Sequence, residues 1–401
     1  MNMVKNILIA TFSLRVNSQR TAINGMIEPL LSYFLPKASV VDLIDGLHPG
    51  SNNVITFIEQ YKNERLEYKT TGWVSLLMYP LLYLQNTNST QILFKIRDFF
   101  SVLEWGIRSG KKYDIFIGLE SVYTLAGIIL KKIGIVKTVV YYVSDYSPNR
   151  YTGWFNRLYL EMDRICARNA DYIWDVSPAM HPARIKVGLD HKKSKPVILV
   201  PNALFPEQIS PMPQSRIIPF SLVYAGTLTK ANGPDIAVES MRYILKDFPD
   251  ATLHIFGSNG ADQARIKSLI EKYRLEKNII FHGFITQVAD ITRAINKYSI
   301  GLAPYLDIAG SHRKFGDATK LRLYMGAGLP IITTSVPPLG KEIVKMGAAM
   351  IVLDQPEATA KAIIKLFTDK SLFSQMRKKA MEYSKSNTWE NTYSNAILKM
   401  V

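Results

Sequence analysis

The sequence predicts an α/β fold built as two domains. Apolar runs of strand length alternate with helix-length runs along the whole chain, which argues for parallel sheets. The apolar runs end in short polar or glycine-bearing loops, such as Ser144-Asp145, Gly226-Thr227 and Gly257. A break rich in proline (Pro206, Pro211, Pro213, Pro219) separates two such alternations. The length of 401 residues agrees, since single cores stop growing beyond about 250–300 residues.

Composition narrows the class. Apolar residues make up 47% and charged residues 20%, enough for sizeable cores and against disorder. The formal charge of +16 favours an anionic partner: nucleic acid, an anionic membrane surface or a phosphorylated substrate. A single cysteine, Cys166, excludes an intramolecular disulfide and fits a reducing compartment. Met1–Lys5 leads straight into Asn6–Ala10, too short a run for a signal peptide. No apolar run reaches the ~18 residues of a membrane span, so a cytoplasmic location is expected. The histidines lack metal-ligand spacing, and neither a Walker loop nor a GxGxxG pattern occurs, so no metal and no cofactor are expected.

In the first half, Asn6–Thr11 reads as a strand, Phe12–Arg20 as a polar loop, Thr21–Phe34 as a helix and Ser39–Leu43 as a strand. Loops at the carboxyl ends of parallel strands face the ligand crevice. Phe12–Arg20 is therefore either an acceptor contact or a solvated loop. Tyr68–Leu84 has little polar face and reads as a buried helix, or as a segment entering a membrane interface with Lys62, Arg65, Lys69, Lys95, Arg97, Arg108, Lys111 and Lys112 nearby in the chain. Strands follow at Tyr113–Gly118, Thr138–Val143, Tyr172–Val176 and Val197–Val200, with helices at Tyr123–Ile133 and Arg157–Ala170. Glu120 and Asp145 lie just past the first two of these strands. A carboxylate at such an edge can accept the proton of an attacking hydroxyl, or it can cap the next helix.

The second half restarts at Phe220–Ala225, with further strands at Thr252–Phe256, Ile279–Phe281, Ile300–Ala303 and Ala349–Leu353. Its most informative stretch is Gly316–Thr334, GDATKLRLYMGAGLPIITT. A helix starts near Thr319-Lys320, Gly326 and Gly328 with Pro330 stop it, and Ile331–Thr334 is a short strand. Free N–H groups at a helix start, with a lysine in the first turn, make a phosphate site.

This stretch resembles the donor-site helix of GT-B-type glycosyltransferases of the family 4-like, group 1 kind. Thr319, Lys320, Leu321, Tyr324, Ala327, Gly328, Leu329 and Pro330 match that motif, whereas Leu323 stands where many members carry Glu. VVYYVSDYSP (139–148), ADYIWDVSPAM (170–180) and VPNAL (200–204) resemble the same group's N-terminal half. The resemblance implies two Rossmann-like domains facing across a cleft. It divides the chain into residues 1–205 for the acceptor, a linker at 206–218, residues 219–386 for the nucleotide-sugar, and a C-terminal helix at 387–401 crossing back to the first domain. Asp145 is the expected base, and Glu120 its helper or an acceptor contact. Gly226, Thr227, Lys230, Gly257, Phe284, Asp317, Thr319 and Lys320 are the expected donor ligands. Two departures stand out. The Arg and Lys usual in the first phosphate loop are replaced by Thr227 and Asn232. The paired glutamates of retaining members fall at Phe315 and Leu323.

The implied function is transfer of a sugar from a nucleotide-sugar to a glycan or lipid-linked acceptor in cell-surface polysaccharide synthesis. Domain closure would exclude water. A peripheral contact with the inner face of an anionic membrane is expected, and no nucleic acid, since no interleaved aromatic and basic motif accompanies the charge. Two alternatives share the fold: a non-catalytic binding or scaffold protein, which the missing glutamates favour, and a nucleotide-sugar epimerase.

Overall fold

The computed structural model describes the chain except for residues 1–3, 17–18, 25, 52, 85–89, 258–259, 284, 286–287, 309–310 and 401. It divides into two compact units, Met1–Val200 with Tyr393–Val401, and Pro201–Thr392. Residues 206–218, read as a linker from their prolines, lie within the second unit. There Ser210 N–H bonds the Gly326 carbonyl at 3.0 Å and Ile218 N–H that of Lys297 at 2.8 Å.

Among the described residues the first unit holds nine strands. They are β1 (Val4–Val16), β2 (Gln19–Asn24), β3 (Ala38–Leu47), β4 (Phe57–Lys62), β5 (Arg65–Thr71), β6 (Tyr113–Leu119), β7 (Val136–Val143), β8 (Tyr172–Asp175) and β9 (Val197–Leu199). The order is β5-β4-β3-β1-β6-β7-β8-β9, with β2 on β1. Pairing is parallel from β3 through β1 to β9, and antiparallel at β1–β2, β3–β4 and β4–β5. The parallel strands read as apolar runs because both faces are covered: the last five residues of β7 are all buried. Tyr393, in the C-terminal stretch, stacks on Trp174 at 5.9 Å and lies 5.4 Å from Tyr33.

Three local readings are corrected. Phe12–Arg20 is not a loop: β1 continues to Val16 and turns back as β2, and the helix begins only at Ile27. The polar residues stay in the strand because they are paired. Arg15 meets Asp45 at 2.6 Å and Glu59 at 3.3 Å, Arg20 meets Glu59 at 2.7 Å, and Ser13 bonds Asp45 at 2.8 Å. Tyr68–Leu84 is not one buried helix. Tyr68 lies in β5, and two short helices follow, Trp73–Leu77 and Tyr79–Leu84. Pro80 lacks the N–H that would join them into one. Trp73, Leu77 and Leu81 are exposed by 62%, 81% and 55%, so this apolar face is open. The β4–β5 hairpin turns at Asn63 and Glu64, both at positive φ (48° and 68°), the geometry a two-residue hairpin loop demands.

The second unit holds β10 (Ser221–Ala225), β11 (Thr252–Phe256), β12 (Ile279–Gly283), β13 (Ile300–Ala303), β14 (Ile331–Thr333) and β15 (Ala349–Ile351), in the order β12-β11-β10-β13-β14-β15, all parallel. The order reverses between β10 and β13, and ligands of open α/β sheets bind at the carboxyl ends of the strands at such a switch point. In the first unit the reversal lies between β1 and β6, and Glu120 follows β6 directly.

Candidate active site residues

In the second unit, the helix Thr319–Gly326 is fixed across the switch point by Tyr324. Its hydroxyl accepts from Ala225 N–H at 2.8 Å and donates to the Leu302 carbonyl at 3.0 Å, tying the helix to β10 and β13. Glycine at 301 makes room, since a Cβ there would stand 2.6 Å from the Tyr324 ring. This locks the first turn of the helix under Gly226, the residue that follows β10.

Gly226 has φ 136°, in the region that favours glycine, and a Cβ there would approach Lys320 Cε to 2.9 Å. A Cβ on Gly257 would fall 2.0 Å from the Gly226 carbonyl oxygen. Both glycines are therefore required by close approach. Lys320 lies beneath this backbone with its ammonium 3.8 Å from the Tyr224 ring centroid and 5.3 Å from that of Tyr305. It is only 9% exposed, and Nζ has no hydrogen-bond partner. Burial, with a smaller contribution from the Arg313 guanidinium, holds its pKa well below the ordinary 10.5. A buried ammonium that lacks an anion is costly, and an anion arriving there would relieve that cost.

The other expected donor residues are placed as follows. Thr319 is exposed at the helix start, and its hydroxyl accepts from Asn202 Nδ2 at 3.2 Å. Thr227 and Lys230 are exposed, and the Thr227 side chain is bonded by Asn232. The Asp317 carboxylate is already engaged, bidentate with Arg322 at 2.8 and 2.9 Å and accepting Asn202 N–H at 2.8 Å. Phe284 lies outside the described residues. His282 stacks on Phe256 at 4.3 Å and meets His254 across 2.9 Å. On the same carboxyl edge, the ends of β14 and β15 line an open cleft of about 600 Å³ with Lys341, Asp354 and the ion pair Lys314–Asp307.

In the first unit, Glu120 opens the helix Glu120–Lys132 at φ 64°, an uncommon conformation for a non-glycine residue. Its carboxylate accepts from the Ser144 hydroxyl at 2.9 Å and from Ser144 N–H at 3.2 Å. Burial pushes its pKa up, opposed by Arg150. Asp145 follows at the end of β7, half exposed, with Oδ2 3.0 Å from Arg150 Nη1. Ser144 and Arg150 thus bring the two predicted acids into one cluster. Asp145 does not cap the next helix, whose N-cap is Thr152. Sequence reading missed Arg150 and the aromatic walls Tyr224 and Tyr305. The one signal that could have found Tyr305 is its position just past the strand Ile300–Ala303.

Comparison with known proteins extends this geometry. Residues 219–369 match the family model Glycosyl transferases group 1. Over 180 residues the chain is 31% identical to YtcC of Bacillus subtilis (strain 168), described as a glycosyltransferase, with 40% of each chain covered. Over 161 residues it is 30% identical to the poly(glycerol-phosphate) alpha-glucosyltransferase of that organism, covering 39% of this chain and 22% of that protein. The chain therefore spans well under two thirds of the curated relatives it matches. Anabaena HepE in complex with UDP matches with a TM-score of 0.67 at 14% identity, over 99% of this chain and 100% of that one, a likeness of fold. The chain has the GT-B fold, and its residues 219–369 match the glycosyl transferases group 1 model.

Proposed function

We propose that this protein is a glycosyltransferase that moves a sugar from a nucleotide-sugar to a hydroxyl of a glycan or lipid-linked acceptor in cell-surface polysaccharide synthesis. The observation that carries the reading is the buried, unpartnered ammonium of Lys320 beneath the Gly226 backbone at the sheet's switch point. A donor diphosphate supplies the missing negative charge. The Gly226 and Gly257 backbone lets it come close. In the reaction the acceptor oxygen bonds to the anomeric carbon, the bond from that carbon to the diphosphate oxygen breaks, and the nucleoside diphosphate leaves. The hydroxyl proton passes to Asp145, and Ser144 and Arg150 hold Glu120 beside it. No metal or cofactor enters this scheme.

HepE was solved with UDP and one relative is named for glucosyl transfer to poly(glycerol-phosphate), which makes UDP-sugars the first donors to try. Thermal shifts against UDP-, GDP-, ADP- and CMP-sugars test the reading. The matching donor should raise the midpoint by mass action, and no shift with any of them overturns it. Phe315 and Leu323, where retaining members carry glutamates, favour a second reading as a non-catalytic binder. Donor binding without hydrolysis or transfer would select it.

The acceptor side suggests a membrane surface. Exposed Leu66, Tyr68, Trp73, Leu76, Leu77, Tyr79 and Leu81 fall close together in the chain, beside Lys62, Arg65 and Lys69. No helix among the described residues is long and apolar enough to cross a membrane. The reading is therefore peripheral attachment, by apolar insertion plus attraction to anionic lipid. The protein should sediment with anionic vesicles at low salt and less at high salt. Equal recovery in the supernatant with anionic and neutral vesicles at low salt contradicts it.

A further inference from the structure

The loop after β10 carries no cation at Thr227 or Asn232, and Asn232 is spent on Thr227. Lys230, the remaining base of the loop, is exposed on a turn of 3-10 helix. A diphosphate held by Lys320 alone would leave much of its charge unanswered.

The segment after β13 folds a second cation toward the same place. Arg313 sits on the short turn His312–Lys314 with its guanidinium 6.0 Å from the Tyr305 ring centroid, and Lys320 Nζ lies 5.3 Å from the same ring. The two cations are near enough that Arg313 disfavours the charge on Lys320. Like charges are gathered around a buried site only where something of opposite sign is to arrive, or where partners neutralise them. Neutralising partners are lacking here. Among the described residues no carboxylate pairs with Arg313, whereas its neighbour Lys314 is paired with Asp307 at 2.5 Å and Arg322 with Asp317 at 2.8 Å.

We propose that Arg313 is the second cationic ligand of the donor diphosphate, supplying a charge that the loop after β10 does not. The proposal rests on the donor-site reading of Lys320. The guanidinium fork suits two phosphate oxygens at once, and the half-exposed position lets it swing onto a ligand that the buried lysine anchors. In this arrangement Arg313 reads the presence of a second phosphate, and Lys320 answers the group lodged under Gly226.

The test is calorimetric titration of the full chain with UDP, GDP, ADP and CMP, followed by UMP, GMP or AMP matching the best diphosphate. Arg313→Gln should weaken the diphosphate on the order of 10- to 100-fold while leaving the monophosphate nearly unchanged. Arg313→Lys should recover part of the loss. The position is half exposed, so the fold should survive, and an unchanged unfolding midpoint checks this. If the wild type binds a diphosphate and Arg313→Gln keeps the same diphosphate-to-monophosphate ratio, the assignment of Arg313 fails while that of Lys320 stands. If the wild type binds no diphosphate, or CMP alone, both fail together.

Discussion

Arg184 in the first unit and Lys320 in the second are both buried cations, and their surroundings are opposite. Arg184 is fully buried and donates to both oxygens of Asp163 at 3.0 Å and to Asp175 at 2.6 Å. Lys320 is almost as buried and lies against the Tyr224 and Tyr305 rings and the Gly226 backbone, with no carboxylate paired to it among the described residues. Burial alone therefore does not mark a functional cation, since Arg184 is held by the fold's own carboxylates. What distinguishes Lys320 is that, among the described residues, no hydrogen-bond partner or carboxylate pairs with its Nζ, which leaves it open to an anion from outside.

A third case lies between them and carries the largest expected effect. Asp145 and Arg150 are a half-exposed pair. If pairing were its whole role, Asp145→Asn would cost only about 0–1 kcal/mol of stability, as surface ion pairs do. If Asp145 is the base, turnover should fall roughly 10²–10⁴-fold with donor affinity nearly intact. Near-wild-type turnover, with chemistry shown to be rate-limiting, would return Asp145 to a pairing role and make Glu120 the next candidate.

The contrast between the buried cations can be broken by the same substitution in each unit. Arg184→Met strands two buried carboxylates and should destabilise the first unit by about 3–5 kcal/mol in denaturant unfolding. Lys320→Met removes a buried charge with no partner. It should leave stability equal or higher, while nucleoside diphosphate affinity drops by about 1.5–3 kcal/mol. A Lys320→Met protein that unfolds as readily as Arg184→Met would mean that the lysine is structural after all.

Much of this was legible in the residues. The apolar strands β6 to β8, β10, β13 and β14 announce themselves because both faces are covered, and the Thr319-Lys320 helix start drew attention to Lys320 as a phosphate candidate. The illegible parts depend on long-range pairing. Arg15 and Ser13 look like loop residues until Asp45, on the neighbouring strand, makes their burial affordable. The β4–β5 hairpin carries no glycine at its turn, and most of β5 is exposed and polar, so neither usual signal was present. Arg313 comes within 6.0 Å of the Tyr305 ring, a tertiary fact that no local pattern encodes.

The smallest expected effect sharpens the comparison through protons. Lys320 titrates well below 10.5 in the folded protein because of its burial and the facing Arg313 guanidinium. Between that depressed pKa and about 10.5 the unfolded chain holds a proton that the folded protein lacks, so this residue makes stability rise with pH across that window. The sign is that of a penalty on the charged form, present in full at lower pH and relieved as pH rises. An arriving phosphate reverses the penalty by pairing with the ammonium, which raises the pKa and draws in a proton. Nucleoside diphosphate binding should therefore take up a fraction of a proton above about pH 8, clear of the phosphate's own ionisation near pH 6. Affinity should fall as pH climbs through the window, by at most about 1.4 kcal/mol per pH unit. Titrations in buffers of different ionisation enthalpy measure the uptake directly, and Lys320→Met should abolish it. Equal proton uptake in the wild type and Lys320→Met would place the responsible group elsewhere and remove the ammonium from the phosphate site.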